Sequence, residues 1–236
     1  MSSRFIEALH DLDGVTLHPG GSSSIFKNLD NQYGIVLPQA HQMLLRESNG
    51  IEVYWGYFRL FGLETSEGVD VTKWNRHDCW KFAWKDRCTG YWCFGETAWG
   101  DQYAYALESL HGKQSPEVYV LSAFSMTPHL AERSFTEFLE DEFIRCARTP
   151  YDATIERARR NLGPIEADNH LIYVPSLLLG GTEDANTVEQ MTARLAMIVN
   201  GDIAVQLDGG PRDGAVKAVQ TYEDESGRTR LRLVWA

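Results

Sequence analysis

Basic residues are in short supply: 22 Lys plus Arg stand against 33 Asp plus Glu in 236 residues, a formal charge of −11. That deficit argues against tracking a phosphate backbone as the main task, because such binding is driven by Lys and Arg displacing counterions. Acidity of this size keeps many proteins soluble, and it also suits a basic protein partner. Long apolar runs are missing too. The longest uncharged one, 171–181, is too short to cross a bilayer and contains Pro175, so no membrane span is expected. Cysteine is limited to Cys79, Cys88, Cys93 and Cys146. These could form two disulfides, but Met1-Ser2-Ser3-Arg4 leads into no secretory apolar stretch, which points to free thiols in a cytoplasmic protein. A Gly-rich phosphate loop and a Gly-x-Ser-x-Gly nucleophile elbow are absent, and the sequence implies no cofactor.

What is present is an ordinary globular composition, 43% hydrophobic and 23% charged, at a length that suits one domain with a sizeable appendage. The densest signal lies in 91–107. Its aromatic residues alternate with small ones on two strands, and Trp99-Gly100-Asp101 supplies the turn. A strand at 117–121 follows a turn over 111–116, so an antiparallel meander is expected.

Upstream, Phe5, Ile6 and Leu9 mark a short helix. Ile25, Phe26, Leu29 and Tyr33 repeat at helical spacing after the Gly/Ser loop 20–24, with Ser22 to Ser24 at the start and Gly34 at the end. Pro38 opens another helix with Met43, Leu44 and Leu45 as its buried side, and Ser48-Asn49-Gly50 reads as its left-handed stop. Residues 53–61 read as an aromatic strand with a turn at Gly56, and 70–87 as a helix or irregular segment on the sheet surface. Ser134-Phe135-Thr136-Glu137 matches a capping box, with Phe135, Phe138, Leu139, Phe143 and Ala147 as the buried stripe behind it.

Thr149-Pro150-Tyr151-Asp152 starts a further helix, with Tyr151, Ile155, Ala158 and Leu162 at helical spacing before Gly163-Pro164 ends it. Beyond it the chain reads mainly as strands: 171–179, 196–199 turning at Asn200-Gly201 into 203–207, 215–222 and 230–235. Residues 188–195 fit neither period. The apolar strands after Thr149 are too many to stay solvated, so this part is expected to dock on the rest.

Leu37-Pro38, Ser48-Asn49-Gly50, Leu60-Phe61-Gly62, Phe94-Gly95, Gly100-Asp101-Gln102-Tyr103-Ala104-Tyr105 and Ser134-Phe135-Thr136-Glu137-Phe138-Leu139 occur in that order. The order resembles the SUKH superfamily over 1–148. The resemblance implies an α+β fold, with N-terminal helices packed on a curved, largely antiparallel sheet and a closing helix. A mainly β appendage, a helix plus a β-hairpin over 149–236, departs from the minimal pattern. Residues 173–181 faintly resemble the C-terminal region of some type VI secretion immunity proteins. Bacterial members are largely immunity proteins that bind a co-encoded toxin, such as a nuclease, deaminase or peptidase, and fungal relatives regulate cell-wall assembly as binding proteins. The implied partner is therefore a protein toxin.

Two enzyme-like constellations compete with that expectation. Glu96 and Asp101 flank the hairpin turn and could form an acid/base pair of a hydrolase or carbohydrate-active enzyme, although Asp101 also suits the turn itself. His77, Cys79, Cys88 and Cys93 are zinc-ligand types, but their spacings do not pair as structural zinc sites do, and buried thiols account for the cysteines. The seven tryptophans suggest a third use. Rings with a polar rim are what interfaces enrich, so Trp74, Trp80 and Trp99 are expected as exposed anchors for the partner, with Glu96 and Asp101 supplying charge, while packing on the sheet remains the competing use.

Overall fold

The computed structural model describes residues 2–66, 68–111, 115–150, 152–211 and 214–236. Gly112 to Gln114 of the expected turn, and Tyr151 of the expected helix face, lie outside them. The chain is α+β. Seven strands form one antiparallel sheet in chain order: β1 (Thr16–Pro19), β2 (Ser48–Val53), β3 (Phe58–Leu60), β4 (Tyr91–Thr97), β5 (Gln102–Ala106), β6 (Val118–Leu121) and β7 (Pro128–Glu132). Sequential neighbours pair throughout, across the long connections β1–β2 and β3–β4 as well as the short ones.

Two turns set the geometry. Gly100 lies at φ +89°, the backbone that the β4–β5 turn demands. The β2–β3 turn runs through Tyr54, Trp55 and Gly56 at φ +52°, +60° and +84°, a strained path for two aromatic residues. Arg159 stacks over the Trp55 ring at 4.3 Å and over Tyr54 at 5.4 Å, clamping that turn from the C-terminal part.

On β5, Tyr103 and Tyr105 alternate with Gln102 and Ala104, so the strand buries both faces. One face meets helices. These are α1 (Ser2–His10), α2 (Ser23–Tyr33), α3 (Gln39–Glu47), and a helix made of α5 (Phe135–Glu137), a π segment (Phe138–Phe143) and α6 (Ile144–Arg148). Ser134 accepts from the Glu137 amide, as the capping box predicts, and Phe135, Phe138, Leu139, Phe143 and Ala147 are buried. His41 stacks on Phe135 at 4.2 Å with Nδ1 3.0 Å from the Tyr105 hydroxyl, and burial lowers its pKa to about 3. It is a neutral core ring.

The other face of the sheet carries α4 (Val71–Trp74), a 3₁₀ turn (Lys81–Trp84) and much of the C-terminal part. That part comprises α7 (Ala153–Leu162), a small sheet of β8 (Asn169–Tyr173) with β9 (Val188–Thr192), α8 (Ala193–Gly209), and a hairpin of β10 (Val216–Glu223) with β11 (Thr229–Trp235). Trp84 donates to the Met197 carbonyl at 2.9 Å, and Arg59 donates to carbonyls of residues 166, 167 and 169. Among the described residues no helix is long and apolar enough to cross a membrane.

Several expectations need correcting. Asn200-Gly201 is no hairpin turn but the middle of α8, because both residues serve packing: Gly201 lets the helix approach Ala83, whose atoms would lie 3.0 Å from an added Cβ, and Asn200 donates to the Ala123 carbonyl. Ser48-Asn49-Gly50 does not stop α3 but begins β2, with Asn49 bonding Leu63 in both directions. Met43 is 37% exposed although its neighbours Leu44 and Leu45 are buried, since three consecutive residues cannot share one helix face. Residues 177–179 form a 3₁₀ turn, and 188–195 resolves into a strand followed by the start of α8.

Candidate functional site

Arg59 and Glu96 lie directly across β3 and β4, and Glu96 and Gln102 directly across β4 and β5. The strands thus bring three polar side chains together under the turn at Gly100. Arg59 Nη1 donates to Glu96 Oε1 at 3.0 Å, Gln102 Nε2 donates to Glu96 Oε2 at 3.1 Å, and Trp74 Nε1 donates to Gln102 Oε1 at 2.7 Å. From β8, His170 brings Nε2 to 2.9 Å from Glu96 Oε2. Glu96, Gln102 and His170 are fully buried and Arg59 nearly so. The remaining guanidinium protons go to carbonyls of Gly56, Glu166, Ala167 and Asn169. The cluster therefore ties the meander to the C-terminal part and is sealed from solvent.

Burial alone would push the Glu96 carboxyl up, but the neighbouring His170, the Arg59 guanidinium and the Gln102 amide outweigh it and hold the group below the ordinary range. A depressed carboxyl contributes stability that is whole above the unfolded value of about 4.5 and is lost as pH falls through the folded value. Urea titrations of the parent and Glu96→Gln should therefore differ most above that pH and converge in stronger acid. A gap that stays constant with pH would show that Glu96 is not ionised in the fold.

Asp101 has a different duty. Its carboxylate accepts from the Ala123 amide at 2.8 Å and from Thr97 Oγ1 at 2.9 Å, holding the hairpin turn against the loop after β6, and burial raises its pKa. Glu96 is sealed from solvent, and both Asp101 oxygens are engaged within the fold.

The three tryptophans expected as exposed anchors are inside. Trp80 is 0% exposed, Trp74 6% and Trp99 8%. Trp74 lies 5.7 Å from Trp80 and bonds Gln102, while Trp99 stacks on Tyr173 at 4.5 Å and donates to Asp152 Oδ2. Charges beside them in sequence sit on neighbouring turns, and Lys81 among them is itself buried on the Asn75 side chain and the Tyr91 carbonyl. Cys88, Cys93 and Cys146 are buried free thiols, with burial raising them to about 12, 11 and 12. Among the described residues no group of His, Cys, Asp and Glu is placed to hold a metal ion.

Two surface grooves stand out among the described residues. One, of about 420 Å³, lies between the 3₁₀ turn, α8 and the β10–β11 hairpin, lined by Phe82, Lys85, Asp202, Gln206, Tyr222 and Trp235 among others. The second, of about 350 Å³, lies where α1 crosses the closing helix and is lined by Arg4, Phe5, Ala8, Glu140 and Ile144. Glu7 and Asp11 are exposed on the α1 side, and Glu137, Glu140 and Asp141 on the other. The last three make no ion pair among the described residues, whereas the adjacent Glu142 is bound to Arg145. The π segment that carries Glu140 and Asp141 is a geometry often found at functional sites.

The family model described as SMI1 / KNR4 family (SUKH-1) matches residues 21–141, more than half of the 236-residue chain. The chain belongs to this family. The SUKH-1 match covers β2 to β7 and the first half of the closing helix, including Arg59, Glu96 and Gln102 but not His170. The crystal structure of Atu4351 from Agrobacterium tumefaciens is similar to this SUKH-1 protein along the whole chain, at a TM-score of 0.56 and 11% identity with 97% of each chain covered. Identity that low speaks for the fold alone, and it extends that fold through the C-terminal part. Among curated proteins none matches.

Proposed function

We propose that this SUKH-1 protein is a non-catalytic immunity protein that neutralises a co-encoded bacterial toxin by direct stoichiometric binding. The observation that carries the reading is the fate of Glu96 and Asp101: the best acid pair in the sequence is spent on holding the fold together. A hydrolase built on that pair would need both carboxylates to reach a substrate. Membership of the family supports binding, and the net charge of −11 supports a basic partner surface.

With Trp74, Trp80 and Trp99 withdrawn into the core, the face that best fits such a partner is the groove between α1 and the closing helix. Its apolar floor would accept a side chain, and unpaired Glu137, Glu140 and Asp141 would steer a basic segment of the toxin toward it. Arg4 at the rim gives such a segment a place for one acidic residue of its own.

The test uses the product of the adjacent reading frame. Replacing Glu140 and Asp141 together by Lys should lower the association rate constant about 10-fold at low salt, weaken its salt dependence and leave dissociation nearly unchanged. An unchanged association rate would move the docking face elsewhere.

A further inference from the structure

The β10–β11 hairpin treats its two edges differently. On β11, the Leu231 amide donates to Asp202 Oδ2 at 2.8 Å, Gln206 Nε2 donates to the Leu231 carbonyl at 2.9 Å, and the Leu233 amide donates to Gln206 Oε1 at 2.9 Å. Side chains of α8 thus close that edge. The same bonds fix which residues turn their backbone groups outward. Leu231 and Leu233 point away from β10, and residues directly opposite in an antiparallel pair share that status, so Thr221 and Val219 point away from β11.

Their amides and carbonyls have no partner among the described residues. The strand around them is exposed from Lys217 to Thr221, with Val219 at 41%. An open edge on a strand of eight residues is a template for another strand.

We propose that β10 pairs with β10 of a second copy of this chain across a two-fold axis. Antiparallel self-pairing must set outward-facing residues opposite one another, which restricts the register. Centring the axis on Gln220 places Val219 of one copy opposite Thr221 of the other, each pair exchanging both backbone hydrogen bonds. The same register puts Lys217 opposite Glu223, and both are exposed and without an ion pair among the described residues. Centring on Val219 sets Glu223 against Ala215, and centring on Thr221 sets it against Val219, so charge selects the first register. Lys217 lies in the bulge between Val216 and Ala218, so its charge meets Glu223 at the irregular end of a strand whose 218–223 stretch is regular. The product is a four-stranded sheet in place of two isolated hairpins.

Sedimentation equilibrium on the full chain, over concentrations up to its solubility limit, should show the particle mass rising toward twice 26.7 kDa. Val219→Pro removes an amide that bonds nothing within the hairpin and should leave a monomer. Lys217→Glu and Glu223→Lys should each raise the dimer dissociation constant about 10-fold, since two attractive pairs become repulsive. The double swap, Lys217→Glu with Glu223→Lys, should restore the parent constant, a result that misfolding cannot imitate. A chain that stays monomeric throughout would overturn the proposal. So would a dimer indifferent to both reversals, or a monomer in which Val219→Pro weakens capture of the adjacent frame's product, since the edge would then belong to that partner.

Discussion

Replacing Arg59 by alanine should lower the unfolding free energy by about 3–5 kcal/mol, the cost of leaving a buried carboxylate without its cation. Glu96 would keep Gln102 and His170, but carbonyls from residues 56, 166, 167 and 169 would lose the guanidinium together. Those carbonyls lie on both sides of the junction between the meander and the C-terminal part. The loss should therefore show twice, in the urea midpoint and in faster proteolysis after residue 149. Arg59→Lys should recover little, because an ammonium cannot serve a carboxylate and four carbonyls from one planar fork. If Arg59→Ala leaves both observables unchanged, the cluster is not what joins the two parts.

Trp84→Ala should cost a similar amount, about 3–5 kcal/mol, by a different route. Trp84 is 0% exposed, so the substitution opens a cavity between the sheet and α8, and it also removes the indole donor to the Met197 carbonyl. Chemical denaturation with intact and truncated rings measures it directly. Trp80→Ala and Trp99→Ala report on folding for the same reason. A fall in partner binding after either change would first have to be separated from loss of the native state.

The meander was legible because its signals are local. Alternating aromatics on 91–107, the Gly100 turn and the Ser134 cap are each decided within a few residues, and the structure keeps all of them. Asn200-Gly201 misled for the opposite reason. That dipeptide is a strong local turn signal, and the packing of α8 on Ala83 overrides it from more than a hundred residues away.

The buried cluster was half visible. Glu96 stood out, but as a catalytic acid or a charge for the partner, since nothing in its neighbourhood names Arg59 as the residue across the ladder. A charged side chain inside the aromatic run 53–61 was the available clue: a guanidinium there needs a carboxylate on the facing strand. His170 could not be found this way, because it arrives from another sheet. The tryptophans were misplaced because sequence adjacency to Asp and Lys says little where short turns point successive residues in different directions.

The central claim is inhibition by occupation, and titration of the adjacent frame's toxic activity tests it most directly. With toxin fixed well above the dissociation constant, activity should fall in a straight line and reach zero at one equivalent of this protein, with the toxin and its substrate chemically unaltered. Silencing by a small fraction of an equivalent, with the toxin or its product modified, would mean turnover and contradict the account, as would full activity in the presence of excess protein.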